Sequence, residues 1–234
     1  MWILFTLLCI LSALSFPRWY RKVLLKRWQK TLNLDRHSAI YNQLFASTNG
    51  FLLSRQARTH GDAMEYVYGE IDFTSFIALL SLLKPDNTTV FYDLGSGVGK
   101  AVIACAMVFN VRKSCGIELF YELHSAALTQ QHDLQQIPAY LSTSNTICFI
   151  HDNFFDANFN DATLIFINAA GYFGETWIKL NSRLEQILHC THIITISKRL
   201  VSPVYILVKI TTVKMSWGVV NAYIHERITG DPIE

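Results

Sequence analysis

A chain of 234 residues suffices for one domain of ordinary size plus an appendage, and 51% hydrophobic with 16% charged residues excludes an intrinsically disordered protein. The formal charge of +2 conceals an asymmetry: residues 1–34 hold six basic side chains and no acid, whereas residues 35–234 hold 14 basic and 18 acidic ones, a net −4. The larger part is therefore no nucleic-acid surface by charge, and five cysteines without a C-x-x-C pair argue for a reducing compartment over a disulfide framework.

From Met1 to Phe16 there is no charged side chain, and a helix of that length spans roughly 24 Å, a little short of a ~30 Å hydrocarbon core. Arg18, Arg21, Lys22, Lys26, Arg27 and Lys30 follow at once, interleaved with Trp19, Tyr20, Val23, Leu24, Leu25 and Trp28. Bases crowded on that flank oppose translocation, so the pattern predicts an uncleaved single-pass membrane anchor at 1–16. A basic amphipathic juxtamembrane segment at 17–34 and a cytosolic catalytic domain at 35–228 complete this division. A cleaved signal peptide and a buried hydrophobic hairpin are its rivals.

Further along, Asp35 to Ala46 and Phe73 to Leu83 read as helices, with the polar stretch Ser54 to Tyr68 as a loop closing over a site. Apolar runs predict strands at Val90–Leu94, Ser114–Glu118, Ile147–Ile150, Leu164–Asn168, Ile193–Ser197, Tyr205–Thr212 and Trp217–His225. Helical patterns at Val98–Phe109, Tyr121–Gln135 and Glu175–Leu188 fall among the first five, which implies a parallel sheet covered on both faces. No helix separates the last two strands, so they should form an antiparallel hairpin at one edge. His189-Cys190-Thr191-His192 has no partner pair of ligands and reads as a loop; no metal is expected.

The most informative stretch is Tyr92-Asp93-Leu94-Gly95-Ser96-Gly97-Val98-Gly99, where an apolar strand feeds a glycine turn and then a helix. Glycines let the backbone approach a ligand, and a helix start offers unpaired N–H groups. Beyond it, Cys115-Gly116-Ile117-Glu118 ends a second strand in an acid, at the spacing where a carboxylate accepts from ribose hydroxyls. The dinucleotide fingerprint fails at Lys100, and the phosphate loop fails at Leu94 and Ala101. Tyr205-Ile206-Leu207-Val208-Lys209 has the Y-x-x-x-K spacing of an oxidoreductase, but that pair converges only on a helix and this segment reads as a strand.

What remains, D-x-G-x-G-x-G, resembles motif I of the class I S-adenosylmethionine-dependent methyltransferases. Val67-Tyr68-Gly69-Glu70 ahead of it resembles the Dot1 family of lysine methyltransferases more narrowly. So do Leu164 to Asn168, Ile196-Ser197-Lys198, Ser216-Trp217 and Tyr223-Ile224-His225 after it, over about residues 60–228. The resemblance implies a seven-stranded Rossmann-like α/β sheet and S-adenosylmethionine as cofactor. It places Asp93, Gly95, Gly97, Gly99, Glu118, Asp152 and Phe154 around that cofactor, with Glu70 at its amino-acid end. Asn168, Tyr172 and Tyr223 would carry the chemistry, beside Phe173, Ser197 and Trp217 in an acceptor channel.

A protein lysine is the acceptor the family implies. Asn168-Ala169-Ala170-Gly171-Tyr172-Phe173 departs from the family's N-N-F, and the family's basic nucleosome-binding extension is not expected. A membrane-proximal protein lysine is therefore favoured over histone. The alternatives are methylation of a small amine or lipid headgroup, or a membrane-anchored pseudoenzyme that binds cofactor without turnover.

Overall fold

The computed structural model describes residues 19–228. They divide between two units, one ending at Ile40 and the other beginning at Tyr41. In the first, a helix α1 covers 19–31 and exposes Trp19, Tyr20, Val23, Leu24 and Leu25. Asn33, at φ 48°, follows it, and α2 (Leu34–Leu44), whose residues from Tyr41 on belong to the second unit, starts with Asp35 in its first turn.

In the second unit the elements run α3 (Gly50–Ala57), α4 (Phe73–Ser81), β1 (Val90–Leu94), α5 (Lys100–Val108), β2 (Lys113–Glu118) and α6 (Tyr121–Gln135). They continue α7 (Leu141–Ser144), β3 (Ile147–His151), β4 (Leu164–Asn168), α8 (Gly174–Glu185), β5 (His192–Ile196), β6 (Tyr205–Met215) and β7 (Gly218–Arg227). The strands form one seven-stranded sheet in the order β3-β2-β1-β4-β5-β7-β6. The first five are parallel; β7 runs antiparallel to both β5 and β6, as the missing crossover helix demanded.

Alternate side chains of the strands feed two apolar layers. Leu180 and Leu184 of α8 join Val90, Tyr92, Leu94, Cys115, Ile117, Ile165 and Ile167 on one face. On the other face Phe76 of α4 meets Phe91 and Phe166 edge-on at 6.0 and 5.2 Å. α5, seven of whose nine residues are buried, fills the layer beside β1 and β2, which is why its sequence lacks an amphipathic stripe.

Two expectations need correction. The stretch from Ser54 begins inside a helix: Asn49 caps α3 by accepting from the Leu52 amide at 3.0 Å. Single-pass anchoring with a cytosolic catalytic domain is not supported either. Among the described residues no helix is long and apolar enough to cross a membrane, and residues 1–16, where the anchor was expected, lie outside those described.

Candidate cofactor site

Strand order reverses between β1 and β4, and at such a switch point the loops beyond the strands' carboxyl ends part to leave a crevice. Here it is a cavity of about 160 Å³ with walls from β1, β2, β4 and the segment before α4. Gly95, Gly97 and Gly99 all adopt the left-handed region, at φ 83°, 55° and 83°. The amides of Gly95 and Ser96 donate to the Ile117 carbonyl at 2.9 and 3.0 Å, tying the loop to β2. Gly95 and Gly97 line the cavity; a Cβ on Gly99 would instead strike Phe149 at 2.5 Å, so that glycine serves helix packing.

Glu118 lines the cavity and is almost fully buried. Its Oε2 accepts from the Gly97 amide at 2.7 Å and Oε1 from the Phe120 amide at 2.9 Å. Burial raises its pKa from the ordinary value, against the pull of those amides. Asp93, also buried and in the wall, is raised well above its ordinary value, by burial first and then by the neighbouring Glu118 charge.

A second charged group stands where α5 begins. Lys100 Nζ lies 2.6 Å from Glu70 Oε2, and the Tyr68 hydroxyl donates to Glu70 Oε1 at 2.8 Å. The Tyr68 ring covers Gly97, where a Cβ would come within 2.7 Å of it. This Tyr68-Gly69-Glu70 segment is sewn to the β6–β7 turn: the Ser216 amide donates to the Glu70 carbonyl at 2.8 Å, and the Glu70 amide to Ser216 Oγ at 3.1 Å. The Asp72 amide reaches the Lys214 carbonyl at 2.9 Å, and the Trp217 ring fills the space a Cβ on Gly69 would take.

Ser216-Trp217 therefore acts by holding Glu70 in place, and Trp217 does not line the cavity. Trp217→Ala should weaken cofactor binding several-fold through loss of this support, while turnover at saturating cofactor changes little. Calorimetry beside initial rates checks it, and an effect confined to turnover would refute it.

Toward β3 the wall consists of Asn153, Phe154 and Phe155, with Phe154 edge-on to Tyr172 at 5.7 Å. Asp152 is exposed, and its carboxylate accepts from the Asn153 amide at 2.7 Å, a turn role. The polar residue presented there is Asn153, one place on. On the β4 side Asn168, Gly171 and Tyr172 line the cavity, and burial raises the Tyr172 phenol so that it stays neutral.

Tyr223 is not brought there. It sits in β7 opposite Thr195 and Ile210, its hydroxyl 3.4 Å from Asn221 Nδ2. Ser197 and Phe173 are likewise outside the wall; Phe173 is exposed, with Lys198 Nζ 3.2 Å from its ring centroid. Ser54 and Tyr66, in the stretch expected to close over the site, line the cavity, as do Lys100, Phe120 and Met215, which were not singled out from the sequence. Of these only Lys100, at the helix start, stood in a motif.

These residues fit an adenosyl cofactor without phosphates. The glycine turn admits a close ligand, a buried acid stands where ribose hydroxyls need an acceptor, and an opposed Glu70–Lys100 pair suits a zwitterionic tail. The sheet order, with β7 reversed beside β5, is that of the class I S-adenosylmethionine-dependent methyltransferase fold.

The narrower placement comes from sequence. The family model described as "Histone methylation protein DOT1" matches residues 54–222, and the chain belongs to that family. A histone-lysine N-methyltransferase, H3 lysine-79 specific, of Caenorhabditis elegans is 29% identical over 135 residues, 55% of this chain and 14% of that protein. A protein-lysine N-methyltransferase of Saccharolobus islandicus is 28% identical over 87 residues, 37% of this chain and 50% of that one. The chain thus spans at most half the length of these relatives. Among solved structures, magnesium protoporphyrin IX methyltransferase from Synechocystis with bound SAM shares the fold at TM-score 0.51 and 13% identity, over 81% of this chain and 96% of that one.

Proposed function

We propose that this protein transfers the methyl group of S-adenosylmethionine to the side-chain amine of a lysine in a protein, through the domain at 35–228. The observation that carries the reading is the meeting of the Gly95–Gly97 turn, Glu118 and Glu70 around one cavity in a chain matched by the DOT1 family model. Relatives whose names specify protein lysine support the acceptor class.

The bound cofactor supplies an electrophilic methyl on a sulfonium. Glu118 would accept from the ribose hydroxyls, Phe154 would pack on the adenine ring, and Glu70 would take the tail ammonium. Asn168 and Tyr172, beyond β4, would orient the incoming nitrogen. That nitrogen must be neutral, since an ammonium has no lone pair for in-line attack, and a free lysine of pKa about 10.4 is neutral in roughly one molecule in two thousand at pH 7. An apolar wall raises that fraction by disfavouring the charged form.

The rate should therefore rise between about pH 7 and 9 as the neutral fraction of the acceptor grows, by up to about a hundredfold for an acceptor of ordinary pKa and by less where burial lowers that pKa. Labelled methyl should appear on lysine as increments of about 14 Da per group transferred. A flat pH profile, or label found only in lipid or small molecules, would refute the lysine reading and leave the methyltransferase class standing. Cofactor binding without transfer to any acceptor would favour the pseudoenzyme.

A further inference from the structure

Resting on the cofactor reading above, we propose that Ser54 is a cofactor-binding residue whose hydroxyl donates to the α-carboxylate of the cofactor's amino-acid tail. No motif contains Ser54. It lies in α3, is 1% exposed, and lines the same cavity as Gly97, Glu118 and Glu70. Its Oγ has no hydrogen-bond partner, although its carbonyl accepts from Arg58 Nε at 3.2 Å. A buried hydroxyl without a partner forfeits its hydrogen bonds with water, so a position that keeps one on a cavity wall calls for a ligand.

The geometry says which end of the ligand. Gly50, one helical turn before Ser54, has its open side against Tyr68, where a Cβ would lie 2.2 Å from the hydroxyl oxygen. The α3 face carrying Gly50 and Ser54 therefore looks toward the Tyr68–Glu70–Lys100 group. Along the crevice Asn153 and Phe154 stand beyond β2, Glu118 at the end of β2, and Glu70 with Lys100 where α5 leaves β1. With ribose at Glu118 and adenine toward Phe154, the tail runs toward Glu70 and Lys100, and hence toward α3.

The tail is a zwitterion. Glu70 suits its ammonium, and Lys100 supplies positive charge for its carboxylate from a flexible stem. A carboxylate has lone-pair sites to spare, and Ser54 offers a directed O–H donor held on a helix. Ser96, the other lining serine with an unpartnered Oγ, belongs to the glycine turn and packs where Gly116 leaves room, so it does not compete for this end.

The test compares three ligands by calorimetry on the full chain: S-adenosylhomocysteine, its decarboxylated analogue 5′-deoxy-5′-(3-aminopropylthio)adenosine, and 5′-methylthioadenosine. Ser54→Ala should lose about tenfold or more in affinity for S-adenosylhomocysteine, the loss expected for a hydrogen bond to a charged group, and less than about twofold for the other two. Its ligand-free melting temperature should match or exceed wild type, because the unpartnered hydroxyl is gone. Ser54→Cys, nearly the same volume with a weak donor, should fall between. Unchanged binding of S-adenosylhomocysteine, or an equal loss for all three ligands, would overturn the assignment. If wild type binds none of the three, the cofactor reading itself fails and Ser54 falls with it.

Discussion

Gly97→Val is expected to abolish measurable binding of S-adenosylhomocysteine, a loss of at least about a hundredfold, while the sheet remains folded. Three effects converge on this one residue. Its φ of 55° is a conformation that β-branched residues adopt only with strain. A Cβ would come 2.7 Å from Tyr68 Cε2, so the ring must leave, and with it the hydroxyl that bonds Glu70. Its amide also positions Glu118 at 2.7 Å, so movement of the turn displaces the ribose acceptor. Gly174 supplies the control, because it too has positive φ, 50°, but nothing lies within 4 Å of the place a Cβ would occupy. Gly174→Ala should cost about 1–2 kcal/mol of stability through backbone strain and leave binding within about twofold. Equal binding losses in the two variants would show that backbone strain, and not the cradle, decides the outcome.

The parts of this architecture that could be read from the chain are those where one local pattern suffices. Val90–Leu94 and Leu164–Asn168 are apolar runs bounded by turn residues, and both form with the bounds expected, as does the helix Tyr121–Gln135. β6 extends to Met215, past the expected Thr212, because Val213 and Met215 are buried against elements far away in sequence. α3 was hidden for a different reason. It begins at Gly50, a poor helix former, and Asn49 in Ser47-Thr48-Asn49-Gly50 serves equally as turn residue or helix cap.

The site was legible to the same extent. Gly95, Gly97, Glu118 and Asp93 converge because the strand–turn–helix unit and the next strand are local neighbours. Asp152 and Asn153 differ by one step in a turn, and which of them faces the cavity depends on the path of 153–156, set by the Asn153 side chain accepting from the Phe155 amide at 3.0 Å. Tyr223 is a register question: the pairing of β7 with β5 fixes its place opposite Thr195, and no local pattern reveals that pairing. The family resemblance brought Ser216-Trp217 and Tyr68-Gly69-Glu70 to notice as separate blocks. Their being one unit, joined by the Ser216 amide to the Glu70 carbonyl and by the Glu70 amide to Ser216 Oγ across 146 positions, is a tertiary fact.

Asp93→Asn should divide stability from binding. Asp93 is buried, and burial together with the Glu118 charge raises its pKa well above that of an unfolded carboxylate, about 3.9. The folded state thus favours the protonated form. Its contribution to stability is complete below the unfolded pKa and is lost as pH rises through the raised folded pKa. Asparagine imitates the protonated acid in shape and has no charge to bury. The ligand-free variant should therefore melt with wild type at low pH and above it at pH 8, the gap widening as pH rises.

Binding should move the other way. A buried carboxylate at the end of β1 is costly until a cation arrives, and the cofactor's ammonium, reaching Asp93 as well as Glu70 across the same cavity, would supply the compensation. The variant should bind S-adenosylhomocysteine about 10- to 150-fold more weakly, as expected for losing about 1.5–3 kcal/mol in a charged hydrogen bond. Wild-type affinity should also grow with pH across the window in which free Asp93 gives up its proton, whereas that of the variant should not. Melting curves at a series of pH values and calorimetry at pH 6 and 8 measure both effects. Parallel melting curves would refute the buried-charge account. A variant that gains stability yet binds as tightly as wild type would leave Asp93 with a structural role alone.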